Sequence, residues 1–254
     1  MSGIVRILLS NDDGIEAPGL RALEERLRDM AELWVVAPDK ERSTTSHAMS
    51  LHSPIFMHQA GERRFAVEGL PADCVYLALH HLLPSFPALV ISGINAGANL
   101  GRDVFYSGTA AAAREAALHG VRGLACSLAS GDDFAMASDV TAGLVEKILS
   151  SRPADEVPLL LNLNIPAKRP SEIRPGVLGE RVYPRSVEAR KVPVSGLTYY
   201  WLGGPPVESQ LSQGSDAWLI QNGYASLTPL SLDQTLFASM ERTRALLQRC
   251  RDGH

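Results

Sequence analysis

The chain reads as an α/β protein, a three-layer, Rossmann-like arrangement around a mostly parallel sheet, and three observations point there. Short apolar runs alternate with segments of helical period along the first two thirds of the chain. The first run ends abruptly in Asn11-Asp12-Asp13-Gly14 and gives way near Pro18 to a helical pattern, the first half of a βαβ unit. The runs themselves are too apolar to face water, as strands covered on both sides must be.

Taken in order, Ile4–Leu9 is the first strand, and Pro18–Leu27 is a helix with Leu20, Leu23 and Leu27 on one stripe and proline in its first turn. Leu33–Ala37 is a second strand, stopped by Pro38, and a polar loop, residues 39–47, leaves its carboxyl end. Met49–Met57 and Arg63–Val67 form an antiparallel excursion with a turn near Ala60-Gly61. Pro71–Leu83 is a helix that buries Val75, Leu79 and Leu82. Ala88–Ser92 is a strand leading into a glycine- and asparagine-rich segment, residues 93–103. Ala110–Leu118 is a strong helix former, Gly123–Ser127 a strand, Ala135–Leu149 a helix and Pro158–Ile165 the last clear buried strand. Pro166–Gly214, rich in Pro, Gly, Arg and Glu, reads as an extension, and a helix over Leu232–Arg249 closes the chain. Residues 1–130 form the core that carries the site, and residues 131–254 cover it, in a single domain overall.

The 254 residues can bury a sizeable core. A net charge of -4 gives no reason to expect nucleic acid or an anionic membrane as partner. Cys74, Cys126 and Cys250 are odd in number and widely spaced, which offers neither a disulfide frame nor a thiolate metal site. The apolar run before Asn11 is too short for a signal peptide, and no stretch reaches the ~18 apolar residues of a membrane span. The expectation is a cytoplasmic protein.

In open α/β sheets ligands bind beyond the carboxyl ends of the strands, and three such ends carry polar clusters. These are Asp12 and Asp13, the loop around Ser43, and Asn95 and Asn99 followed by Ser107-Gly108-Thr109. Two carboxylates about 4 Å apart repel by about 4 kcal/mol at an effective dielectric of 20, so they need a shared proton, a basic partner or a cation. The pair also fits a solvated turn with one Asp as a helix N-cap. Two carboxylates, an amide oxygen and a hydroxyl suit a hard divalent ion, Mg²⁺ or Mn²⁺, better than zinc. Ser107-Gly108-Thr109 at a helix start favours an anion such as phosphate, or serves only as a cap. Metal and phosphate cradle together point to phosphoryl transfer or hydrolysis, with a non-catalytic nucleotide- or metal-sensing module as the alternative.

Other α/β chemistries fit less well. Asp12-Asp13 would repel a pyrophosphate where a dinucleotide fold needs GxGxxG. Haloacid-dehalogenase-like phosphatases space their two aspartates by one residue, whereas these are adjacent. A receiver domain needs an acceptor Asp after its third strand, where Ser92 and Asn95 stand. His80 and His81 read as surface or capping residues, and His47 carries no assigned role. Lys40 and Arg42 fit either a phosphate contact or solvated loop charges.

Five ordered stretches, ILLSNDDG (7–14), VVAPDKERS (35–43), GLPADCV (69–75), ISGINAGANLG (91–101) and YSGT (106–109), together resemble the SurE family of survival proteins, metal-dependent 5'-nucleotidases. The resemblance extends to Tyr199-Tyr200-Trp201 and to GYASLTP (223–229). It implies one divalent metal per subunit held by Asp12, Asp13, Ser43 and Asn95, with Asn99 and Ser107, Gly108 and Thr109 on the phosphate. It also implies hydrolysis of nucleoside 5'-monophosphates, with Asp12 the candidate for proton transfer. A homodimer or homotetramer is implied as well, in which the C-terminal extension, with its hairpin arm, embraces a neighbour. The chain departs from the family pattern at Leu70 and Ala110, neither of which is among the implied ligands.

Overall fold

The computed structural model describes residues 5–151, 160–180, 187–203 and 211–252, with side chains to residue 248. The chain opens with β1 (Arg6–Ser10), α1 (Pro18–Leu27), β2 (Glu32–Pro38), β3 (Met57–Gly61), β4 (Arg64–Val67), α2 (Pro71–Leu77) and β5 (Leu89–Ala96). It continues with α3 (Gly108–Leu118), β6 (Gly123–Leu128), α4 (Phe134–Ser150), β7 (Leu160–Ile165) and β8 (Ile173–Pro175). Then follow β9 (Val187–Lys191), β10 (Thr198–Leu202), α5 (Asp216–Gln221), β11 (Ala225–Pro229) and α6 (Met240–Asp252).

Among the described residues nine strands form one sheet, in the order β3-β4-β2-β1-β5-β6-β7-β11-β8. Only the β3–β4 and β7–β11 pairs in it are antiparallel. Side chains alternate across β1, and that divides the core. Ile7 and Leu9 pack with Leu20, Leu23 and Leu27 of α1 and with Val145 of α4, while Leu8 packs with Val75 of α2 and Ala112 and Ala116 of α3. Helices on both faces give the expected three layers. Each fully buried leucine contributes about 1.5–3 kcal/mol. From β1 the chain passes to β2 on one side and returns as β5 on the other. The carboxyl ends of β1 and β5 therefore flank the point where strand order reverses, and that is where a ligand crevice forms.

Several elements differ from their sequence-based expectation. The strand pairing with β4 is β3, and residues 49–56 are irregular; Pro54 there lacks the N–H a ladder needs. The helix from Pro71 is α-helical to Leu77 and then winds through one π turn, Ala78–Leu82. It stops where Pro84 holds Leu83 extended. β5 runs on through the glycine-rich segment to Ala96, with a bulge against β6 between Ser92 and Asn95. Gly93 sits in that bulge at φ +139, where a Cβ would lie 2.3 Å from the Cys126 carbonyl oxygen. β11 is a further buried strand after β7. The closing helix begins at Met240, after a 3₁₀ turn at Phe237–Ser239. Ile4, Pro158 and Leu159, expected at strand starts, lie outside the described residues. So do residues 181–186 and 204–210 of the expected extension.

Among the described residues β9 and β10 pair only with each other. Their residues are exposed, Tyr200 and Trp201 included. No helix among the described residues is long and apolar enough to cross a membrane.

Candidate functional site

Two aspartates follow β1 because Asn11 folds the chain there. Its side chain accepts from the Gly14 N–H at 3.2 Å and donates to the Gly14 carbonyl at 2.8 Å, closing a tight turn. The turn holds Asp12 inward, 4 % exposed. The Thr109 hydroxyl donates to Asp12 Oδ1 at 2.5 Å, and the Thr109 backbone N–H also favours the charged carboxylate. Asp13 Oδ2 accepts from the Ala96 N–H at 3.1 Å, which ties the end of β1 to the end of β5.

Burial raises the Asp12 carboxyl to about 6, and the neighbouring Asp13 charge adds to the rise against the opposing Thr109 bonds. Asp13 is also raised, by burial and by Glu41. The free carboxylate pair is thus under electrostatic load, which a cation would relieve.

Four of the other expected residues, Ser43, Asn95, Asn99 and Ser107, reach the same crevice. Asp12, Asp13, Ser43, Asn95, Asn99 and Ser107 all line one cavity of about 1010 Å³. Asn95 donates its Nδ2 to the Gly97 carbonyl at 2.8 Å, which leaves Oδ1 as the end that can face a cation. The Ser43 hydroxyl donates to Glu41 Oε1 at 2.8 Å. Ser107 caps α3 by accepting from the Ala110 N–H at 3.0 Å. Gly108 and Thr109 do not line the cavity. Thr109 is fully buried and turned to Asp12. A Cβ on Gly108 would lie 2.8 Å from the Asp12 Cβ, so the missing side chain is what lets α3 come this close. Arg42 turns away to Asp39 at 3.0 Å, and Lys40 lies 4.0 Å from the same carboxylate.

The donor set fits a hard divalent ion. It offers carboxylate, amide and hydroxyl oxygens around one space, and among the described residues no cluster of three or more His, Cys, Asp or Glu could hold a metal ion instead.

Sequence reasoning missed three groups of residues. Asn164, fully buried in β7, accepts from the Asn99 N–H at 2.9 Å and donates to the Asn99 carbonyl at 3.0 Å. Asn162 donates to that carbonyl as well, at 2.9 Å. Two amides inside an apolar strand were the available signal, since a buried amide needs partners. Asp216, fully buried at the start of α5, accepts from the Gly101 N–H at 2.7 Å and the Gly179 N–H at 2.9 Å. Finally, Ala17, Pro18, Phe134 and Leu202 give the cavity an apolar wall beside the carboxylates, with no sequence signal beyond their place after strand ends. A second concavity, about 690 Å³, lies between α1, the start of β2 and the β3–β4 turn. Its arginines are already paired, Arg63 with Glu32 at 3.2 Å and Arg64 with Glu24.

Comparison with known proteins finds relatives over almost the whole chain. The family model described as Survival protein SurE matches residues 7–185. A protein of Pelotomaculum thermopropionicum named 5'-nucleotidase SurE is 42% identical over 252 residues, 96% of each chain. One of the same name from Vibrio cholerae serotype O1 is 45% identical over 243 residues, 93% of this chain and 95% of that one. The crystal structure of the SurE protein from Aquifex aeolicus superposes with a TM-score of 0.83 at 35% identity, covering 95% of this chain and 99% of that one.

Proposed function

This chain belongs to the SurE survival-protein family, and on that premise we propose that it is a divalent-metal-dependent 5'-nucleotidase, hydrolysing nucleoside 5'-monophosphates to nucleoside and phosphate. The observation that carries the reading is the convergence of Asp12, Asp13, Ser43 and Asn95 on one cavity with Ser107 at the start of α3. Relatives at 42–45% identity are named for this activity.

Asp12, Asp13, Ser43 and Asn95 hold the metal, Mg²⁺ or Mn²⁺, one per subunit. When bound, it supplies charge neutralisation at the carboxylate pair and polarises a phosphoryl oxygen. Asn99 and Ser107 hold the phosphoryl group, while Gly108 and Thr109, expected beside them, pack against Asp12 instead; the positive end of α3 stabilises charge growing on the phosphoryl oxygens. Asp12 accepts the proton of the attacking water. Water oxygen bonds to phosphorus, the bond from phosphorus to the nucleoside 5'-oxygen breaks, and the proton accepted by Asp12 passes to that oxygen, which leaves as the nucleoside hydroxyl with Asp12 restored. The apolar wall of Phe134 and Leu202 gives the nucleoside a surface beside the reacting centre.

The β9–β10 hairpin and α6 serve a dimer or tetramer. Tyr200, Trp201, Phe237, Leu246 and Leu247 are each about 60% exposed or more within one chain, and a second copy would cover them. The protein works in the cytoplasm, where the buried free thiols of Cys74 and Cys126 persist.

Phosphate release from a panel of nucleoside 5'-monophosphates tests the activity. EDTA is expected to abolish it and Mg²⁺ or Mn²⁺ to restore it. A folded protein that binds nucleotide but releases no phosphate with any metal would be a sensor instead.

A further inference from the structure

The loop that carries Ser43 adopts a backbone its own residues disfavour. Thr44 and Ser46 have φ of 56° and 53°, the left-handed region, and Thr44 is β-branched. Such strain persists only where surrounding contacts offset it, so the contacts on either side of Ser43 identify what holds the loop. Before it, the Arg42 N–H donates to the Asp12 carbonyl at 2.7 Å. After it, Ser46 donates through its N–H to the Tyr106 carbonyl at 3.0 Å and through its hydroxyl to the Phe105 carbonyl at 2.7 Å. Next in the chain, His47 Nε2 meets Glu115 Oε2 at 2.7 Å.

Glu115 is the unusual member. It lies two turns into α3, is 4 % exposed and is absent from the cavity wall. A buried carboxylate is costly unless hydrogen-bonded. Burial alone would raise this carboxyl, but hydrogen bonds with His47 and His119 outweigh it and hold it below the ordinary glutamate value. Each carboxylate oxygen therefore takes one imidazole, His47 at 2.7 Å and His119 at 3.0 Å. With Nε2–H given to Glu115, His119 presents Nδ1 to His80 Nε2 at 3.2 Å. Tyr76 and Phe86 pack on His80 with ring centroids 4.6 and 5.9 Å away. The far side of the carboxylate is thus fixed by a packed aromatic and histidine cluster, and among the described residues the near side reaches the loop through His47.

We propose that His47 and Glu115 are a positioning pair: an anchored buried carboxylate on α3 grips the imidazole of His47 and so holds the strained loop in the conformation that presents Ser43 to the site. The proposal rests on the reading of Ser43 as a metal-site residue, and it assigns neither His47 nor Glu115 any contact with substrate.

The test measures Mn²⁺ affinity and turnover of the full-length protein, with thermal melting as a control for folding. His47→Ala is expected to weaken Mn²⁺ binding about 10–100-fold, as loss of a group supporting a metal ligand does, with a modest fall in melting temperature from the unpaired Glu115 oxygen and the protein still folded at the assay temperature. His47→Gln, whose amide can still donate to Glu115, is expected to restore most of that loss. Adding Glu115→Gln to His47→Ala should produce no further loss in Mn²⁺ affinity. Ser43→Ala separates the two levels of inference. Should Ser43→Ala bind and turn over normally, the assignment of Ser43 fails and takes the pairing with it. Should Ser43→Ala be impaired while His47→Ala is normal, the positioning proposal alone is overturned. It is equally overturned by strictly additive losses in the double variant or by a glutamine that restores nothing.

Discussion

The Thr109 hydroxyl donates to Oδ1 of Asp12 at 2.5 Å, across 97 positions of sequence. One bond thereby joins the acidic turn after β1 to the first turn of α3. It aims the carboxylate, and it offsets part of the burial that raises that carboxyl.

Thr109→Val removes the donor and keeps the shape. With a buried carboxylate oxygen left unpaired, stability at pH 7 is expected to fall by about 1–3 kcal/mol. Asp12 should then ionise at higher pH, so the acid limb of the kcat/KM profile moves upward. Urea denaturation and a pH–rate profile check the two halves separately.

Asp12→Asn is expected to cut turnover by about 10²–10⁴-fold, the range for loss of a positioned proton acceptor. In EDTA the same variant should melt at a higher temperature than wild type at pH 7, because it removes a buried charge beside Asp13. Differential scanning calorimetry of both proteins in EDTA decides this; a lower melting temperature for the variant contradicts the charge argument.

The stability of the metal-free protein is expected to depend on pH through Asp12. Asp12 ionises at about 6 when folded and at 3.8 as a free side chain, so between those values the folded state holds a proton that the unfolded state has released. Stability from this group therefore falls as pH rises from about 4 to 6 and is level above. At about 1.36 kcal/mol per pH unit the loss amounts to about 3 kcal/mol. Added metal competes with that proton, so Mn²⁺ affinity should strengthen over the same rise. Urea titrations in EDTA and Mn²⁺ titrations at pH 5 and pH 7 follow both trends.

Gly108→Ala places a methyl 2.8 Å from the Asp12 Cβ and 2.9 Å from its Oδ2. Overpacking here is expected to cost about 1–3 kcal/mol and to displace the carboxylate, so weaker Mn²⁺ binding should accompany the lower melting temperature.

Asn164→Leu leaves the Asn99 N–H without its acceptor in a buried setting, at about 1–3 kcal/mol. Asn162 still reaches the Asn99 carbonyl, so the fold is expected to survive. Because Asn99 is assigned to the phosphate, KM for a nucleotide should rise more than kcat falls, and steady-state kinetics distinguish the two.

The sequence made the acidic turn and the order of strands and helices legible because both are local. An apolar run that stops at Asn11-Asp12-Asp13-Gly14 announces a strand end, and α1 was located over its whole length, Pro18–Leu27. What stayed hidden was set by partners far along the chain. Thr109 reads as a helix cap, and its bond to Asp12 exists only once β1 and α3 pack together. Asn162 and Asn164 look like interruptions of an apolar strand until Asn99 arrives beside them. β11 alternates apolar and polar residues, Ala225-Ser226-Leu227-Thr228, over a short span, and gains its identity from pairing with β7. Glu115 sits in an alanine-rich helix where nothing local distinguishes a structural carboxylate from a solvated one.

Helix α3 touches Asp12 near its start and His47 through Glu115. The spacing between the two loops of the site is therefore metered by a rigid rod, at about 1.5 Å per residue. Inserting one residue between Thr109 and Glu115 would swing the carboxylate by about 100° around the helix axis and uncouple one loop while leaving the other in place. Loop lengths elsewhere can drift at little cost. The length of this short stretch cannot, and it sets the gauge to which the rest of the site is built.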